Sequence, residues 1–234
     1  MRNVLPFGEG VCSVCKTFIP PQFSTCLSCD RQPNHLSVVV PITYSEHGGQ
    51  MHHALRSYKD DVAAVRAYAT PRLTAILWRF SAAHEECVAH AAGVTEFDLV
   101  TTVPSSTPEA DEQRSGLRTI VESCQPIRGR YERILQATGD APPGRAYSQS
   151  RYSAEWRIDG VRALLIDDTW TAGGHAQSAA YALSAAGASS VALIVIGRHL
   201  RPDWEVTAGV TSGDLFAELS RTFDWNICAV HDEF

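Results

Sequence analysis

The stretch Val161-Arg-Ala-Leu-Leu-Ile-Asp-Asp-Thr-Trp-Thr-Ala-Gly-Gly-His175 constrains the fold of this chain more than any other. Val161 to Ile166 is a short apolar run with the length of one strand buried on both faces. Asp167 and Asp168 end it, and a turn rich in hydroxyls and glycine follows. Ala176 to Ala186 is then a strong helix former, closed by Gly187 where a C-cap glycine belongs. Strand, acidic pair, small-residue loop and helix in that order make a phosphate site. Gly173 and Gly174 let successive N–H groups converge on one anion near the positive end of the helix, and Thr169 and Thr171 can add hydroxyl donors. The carboxylates at the strand's carboxyl end can accept hydrogen bonds from the vicinal hydroxyls of a sugar, or hold magnesium through water. The competing explanation is an ordinary buried strand with an acidic turn.

The chain has 234 residues, enough for one full core and a small appendage. No apolar run approaches the roughly 18 residues of a membrane span, and Met1 to Phe7 carries no signal-peptide core, so a soluble, cytoplasmic protein is expected. The net charge of −6 argues against loose nucleic-acid binding over the whole surface. Nine of the arginines nevertheless fall between Arg114 and Arg162, a segment with a net charge of +4. Such a segment suits a small polyanionic ligand, or else solvated helix faces in a lysine-poor chain.

Cys12-x2-Cys15 and Cys26-x2-Cys29 are two tight knuckles separated by ten residues. Together they predict a closed, structural tetrahedral zinc site, with a disulfide pair as the weaker alternative. Cys87, Cys124 and Cys228 read as small buried hydrophobes. The expected organisation is a zinc knuckle over 1–36 and an α/β domain over 37–234, the latter a mostly parallel sheet flanked by helices. Pro41 places the strand Leu36–Tyr44 at an edge or bulge. A helix over Gln50–Tyr58 precedes a long helical stretch from Val62 to about Ala92, which Pro71 should break or restart. Phe97 to Val103 is the next strand, and Thr107-Pro108-Glu109 has the look of a helix start. Pro104, Ser105 and Ser106 then form a second anion site, or a plain turn and cap. Residues 139–153 form a Gly-, Pro- and Ser-rich loop of the kind used as a lid. Ser190–Gly197 is another buried strand. The aromatic residues from Trp204 to Trp225 are a hood or, more simply, the last cover of the sheet.

Leu164 to His175 resembles the phosphoribosyl-pyrophosphate (PRPP) motif of type I phosphoribosyltransferases, with Ala172 and His175 where that family has threonine. The order cysteine knuckle, Tyr44, Leu55-x2-Tyr58-Lys59 and acidic strand resembles its ComF-like branch. The resemblance implies a type I phosphoribosyltransferase fold. Asp167 and Asp168 would hold the ribose, with magnesium possible through water. Thr169, Thr171, Ala172, Gly173, Gly174 and His175 would surround the 5′-phosphate, and Pro104, Ser105 and Ser106 the pyrophosphate. Lys59 would lie near the active site, and Arg145 and Arg151, on a mobile loop, would clamp the pyrophosphate. The family usually shows Arg-x-Arg-Gly-Phe-Asn-Gln after its Val-Pro. Here Gln113-Arg114-Ser115-Gly116-Leu117 follows, matching at Arg114 and Gly116 alone, so no acceptor preference is carried over.

The expected activity is transfer of phosphoribose from PRPP and magnesium to an unidentified nitrogen acceptor, releasing pyrophosphate. The alternative is a ComF-like protein, weak or inactive as a catalyst, acting in single-stranded DNA uptake during competence or as a nucleotide-binding regulator. Either reading is compatible with an oligomer.

Overall fold

The computed structural model describes residues 1–113 and 115–230, without the side chain of Gln113; Arg114 lies outside the described residues. The chain order is α1 (Leu27–Asp30), β1 (Val38–Glu46), α2 (Gln50–Ser57), α3 (Ala63–Ala91), β2 (Leu99–Thr102), α4 (Pro108–Gln113), α5 (Gly116–Glu122) and α6 (Gln125–Arg128). It continues with β3 (Leu135–Ala137), β4 (Tyr152–Ala154), β5 (Arg162–Trp170), α7 (Gly174–Ala185), β6 (Ser190–Leu200), β7 (Glu205–Thr207), β8 (Val210–Thr211) and α8 (Ser212–Glu218).

Four parallel strands form the central sheet in the order β1-β6-β5-β2. Each central strand is apolar at successive positions because both its faces are covered. Leu164 and Ile166 of β5, with Ala192, Ile194 and Ile196 of β6, pack on the side of α3 and α5. Ala163 and Leu165, with Leu193 and Val195, pack on the side of α7 and the β3–β4 hairpin. This is the period of two expected of a strand. Pro41 sits in β1 at the sheet edge, where a missing N–H on the open side costs nothing. Cys12, Cys15 and Ile19 belong to the same buried cluster as Leu165 and Leu193, so the cysteine segment is packed onto the sheet.

Pro71 does not break the long helix. It lies inside α3, which runs unbroken over 29 residues. Leu73, Leu77 and Phe80, all at most 1% exposed, press one face of α3 onto the sheet, and this packing outweighs the single backbone bond that proline removes. The carboxyl-terminal aromatics act as cover: Phe216, Leu219 and Phe223 pack against the α3-side core, and Trp204 is exposed.

Candidate functional site

The carboxyl ends of all four strands open onto one cleft of about 2090 Å³. It is lined by Lys59, by Pro104, Ser105 and Ser106, by Arg145 and Arg151, and by the whole stretch from Asp167 to His175. Open α/β sheets place their ligands on this edge.

The strand carrying the acids is longer than the sequence suggested. β5 does not stop at Ile166 but stays paired with β6 as far as Trp170 opposite Arg198. The Arg198 guanidinium, itself buried, reinforces the extension by donating to the Trp170 carbonyl at 3.1 Å. Asp167 and Asp168 therefore lie within a strand rather than in a turn, and strand alternation sends them to opposite faces. Asp168 turns toward α2 and α3, meets the Lys59 ammonium at 2.6 Å and accepts a hydrogen bond from Tyr58. The Thr169 hydroxyl, at 3.3 Å, leans on the same carboxylate. Asp167 accepts the Asp168 backbone N–H at 2.8 Å and bears electrostatically on Tyr152, on the α7 side.

That division splits their acidities. Burial, and then the neighbouring Asp168 charge, pushes Asp167 well above the ordinary carboxylate range. Burial acts on Asp168 in the same direction, but the Lys59 ammonium, with hydrogen bonds from Lys59 and Tyr58, holds it below that range. Asp168 thus has the Lys59 ammonium in direct contact, whereas Asp167 makes no ion pair among the described residues, which leaves a partly exposed acid in the cleft suited to a cation or to sugar hydroxyls.

Thr171 to Gly173 form the loop, and α7 begins at Gly174. Gly173 has φ +88°, a left-handed conformation in which a side chain is strained, and a Cβ there would run into the Trp170 indole. The first amides of α7 have no carbonyl of their own helix to bond, and the residues that carry them, Gly174, His175 and Ala176, line the cleft, so they can serve as anion donors. Trp170 Nε1 is buried with no acceptor among the described residues, its indole packed against Gly173. A Gly173→Ala chain should fold with a displaced loop. Inorganic phosphate or a phosphorylated ligand should then bind at least ~10-fold more weakly, read by calorimetry, while the melting point drops by a few degrees.

In the second predicted anion loop, one backbone donor is committed within the chain. The Ser105 N–H donates to Asp111 Oδ1 at 2.8 Å, and buried Asp111 is tied in turn to Arg118 at 3.1 Å and Arg133 at 2.9 Å. Thr107 does cap α4, accepting the Ala110 N–H at 3.2 Å, while the Pro104 carbonyl accepts the Tyr152 hydroxyl at 2.9 Å. Pro104, Ser105 and the exposed Ser106 line the cleft wall.

Arg151 also differs from expectation. It is 3% exposed, and its guanidinium donates to the carbonyls of Pro142 at 3.3 Å and Ala146 at 3.0 Å. These bonds hold the 139–151 loop in shape, while the buried Arg151 Nε has no partner among the described residues and Arg151 lines the cleft. The loop lies across the start of α7: a Cβ on Gly174 would strike the backbone at Arg145 and Ala146, and His175 Nε2 meets the Gly144 carbonyl at 3.3 Å. His175 Nδ1 lies 3.1 Å from the Tyr152 hydroxyl, so this ring, where threonine was expected, couples loop, hairpin and helix. Arg145 remains exposed at the cleft rim. The arginine-rich segment is mostly neutralised: Arg118, Arg130, Arg133, Arg157 and Arg162 all form ion pairs with carboxylates.

Sequence reasoning missed a group of histidines. His47, His52 and His199 approach with ring centroids 4.6 to 5.8 Å apart at one end of the cleft, and His53 lies beside them. Burial, with the neighbouring His52, lowers His199 to about 4, and burial with the neighbouring His47 also lowers His52. Three histidines within 47–53 were the visible hint; His199 joins them only because β1 and β6 are neighbours.

The four knuckle thiols converge, every pair of sulfurs within 4.8 Å and Cys15 Sγ to Cys26 Sγ 3.7 Å. Thiolates on a tetrahedral zinc stand about 3.8 Å apart. The Cys26 N–H points at Cys12 Sγ at 3.3 Å, and Arg198 Nη2 approaches Cys15 Sγ at 3.4 Å, donors that suit thiolates. Hydrogen bonds from Cys15, Cys26 and Cys29 hold Cys12 far below the usual thiol range, while Cys12 and Cys15 push Cys29 up. The four thiols can all ionise only with a cation among them, so the donor set fits a structural metal such as zinc. The knuckle also reaches the cleft, since Gln32 donates to the Ala172 carbonyl and Arg198 bridges Cys15 to Trp170.

No family model matches this chain, and no curated protein matches it. Among the described residues no helix is long and apolar enough to cross a membrane.

Proposed function

We infer that this cleft binds PRPP and transfers its phosphoribosyl group to a nitrogen acceptor, releasing pyrophosphate, on a type I phosphoribosyltransferase fold of the ComF-like kind. The observation that carries this reading is the left-handed Gly173 loop and α7 amino terminus beside an acid pair in one open cleft. The first amides of α7, with Thr171 and Trp170 Nε1, would take the 5′-phosphate. Asp167, which makes no ion pair among the described residues, would face the ribose hydroxyls or a magnesium ion held through water. Such an ion would supply charge neutralisation for the leaving pyrophosphate.

Cleavage of the anomeric bond builds positive charge on the ribose ring, and the leaving group departs as a stable anion. The protein's task is then positioning and charge compensation. Lys59 would stabilise the pyrophosphate by exchanging its contact with Asp168 for one with the ligand. The 139–151 loop, already lying over α7, would exclude water once PRPP is beneath it. The end lined by His47, His52 and His199 offers ring nitrogens and flat faces to an acceptor. The ion-paired arginines favour this reading over single-stranded DNA binding, which needs a continuous unpaired basic track.

Titration calorimetry with PRPP, with and without magnesium, tests the proposal. Saturable heat that needs magnesium and is competed by ribose 5-phosphate is expected. No heat under either condition removes it.

A further inference from the structure

His84 and Cys87, one helical turn apart on α3, meet Cys228 of the carboxyl-terminal segment well away from the cleft. Their donor atoms all lie within 4.8 Å of one another, with His84 Nδ1 to Cys87 Sγ at 3.8 Å. We propose that these three side chains form a second metal site, of the zinc class, that fastens residues 225–229 to the long helix.

Three observations support it. A tetrahedral zinc ion lies about 2.3 Å from sulfur and about 2.0 Å from imidazole nitrogen, which sets its donors about 3.5–3.8 Å apart. The observed spacing therefore needs a closure of about an ångström at most. His84 Nε2 is 2.7 Å from the Trp225 carbonyl, a contact it can make only as a donor, which leaves Nδ1, 3.8 Å from Cys87 Sγ, as the nitrogen available to a metal. Ligating histidines are held in this way by a backbone acceptor on the second nitrogen. Charge balances as well: two thiolates and a neutral imidazole cancel a divalent cation, so the buried site carries no net charge. The knuckle's four thiolates, in contrast, leave a surplus that Arg198 offsets. Binding expels the two thiol protons to solvent, and three donors among the described residues leave one further tetrahedral position.

The location gives the site a role. Cys228 and Ala229 are buried against the α3-side core, while the preceding Asp224 is held through Asn3 by bonds of 2.7 and 2.8 Å. A metal joining Cys228 to His84 and Cys87 would close the far side of that segment.

The test is metal content by mass spectrometry after zinc loading and dialysis under reducing conditions. Wild-type protein should hold about one more zinc per chain than the Cys87→Ala/Cys228→Ala double variant, whose alanines suit a buried apolar site. His84→Gln, which retains a donor for the Trp225 carbonyl, should show the same deficit, so the test does not rest on one variant folding. With cobalt in place of zinc, the wild-type minus variant spectrum should show thiolate charge transfer. Hydrogen exchange at 225–229 should slow when wild type is loaded and stay unchanged in either variant. Equal metal in wild type and variants overturns the proposal, as does a Cys87–Cys228 disulfide found in the unreduced protein.

Discussion

Chelating the metal from the four-cysteine cluster is expected to collapse the cleft together with the knuckle. Cys12 and Cys15 are fully buried in the cluster that contains Leu165 and Leu193, so the knuckle forms one wall of the sheet's own core. Arg198 donates to the Cys15 carbonyl at 2.9 Å and to Trp170 and His199, which joins the metal ligands to the end of β5 and the histidine group. A structural zinc contributes an apparent ~10–16 kcal/mol, against a total stability of ~5–15 kcal/mol for a typical domain. Its removal is therefore decisive. Thermal unfolding should lose its cooperative transition or shift down by more than ~10 °C, and tryptophan fluorescence should report a newly solvated Trp170. Cys15→Ser should behave like the chelated protein. An unchanged transition after complete chelation would show that the cluster bears no structural load.

Asp167→Asn should strengthen the ligand-free protein and disable it. Asparagine is nearly isosteric, retains an acceptor for the Asp168 N–H and removes the repulsion between the two carboxylates. With Asp167 held above its unfolded value, the folded chain keeps a proton that the unfolded chain has released. Stability is then lost as pH rises from about 3.9 toward the folded value. Asp168 works the other way: its contribution is present above about 3.9 and is lost as the solution becomes more acidic. The asparagine variant should gain ~1 kcal/mol at neutral pH, or ~2–4 °C, and its stability should vary less with pH above 4. PRPP affinity should fall by about 100-fold, which is about 2.8 kcal/mol. Asp168→Asn should lose comparable affinity but gain no stability, because it strands Lys59 and Tyr58. A variant at 167 that melts lower and still binds would refute the division of labour between the two acids.

The sequence by itself determined the pieces whose physics is local. Apolar strands covered on both sides, the small-residue loop before a helix and two Cys-x2-Cys knuckles are properties of neighbouring residues, and period and spacing carry them. Tertiary structure decided the rest. Whether Pro71 breaks α3 depends on how firmly Leu73, Leu77 and Phe80 are held by the sheet, which no helix propensity contains. Where β5 ends depends on β6 and Arg198, and the extra four residues set Asp167 and Asp168 on opposite faces. The Ser105 amide and the Arg151 guanidinium met partners inside the chain, Asp111 and the loop's own carbonyls. His199 joined His47 and His52, and Cys228 joined His84 and Cys87, across more than a hundred residues of chain. A buried polar group takes the partner that folding brings nearest, and sequence order does not record which one that will be.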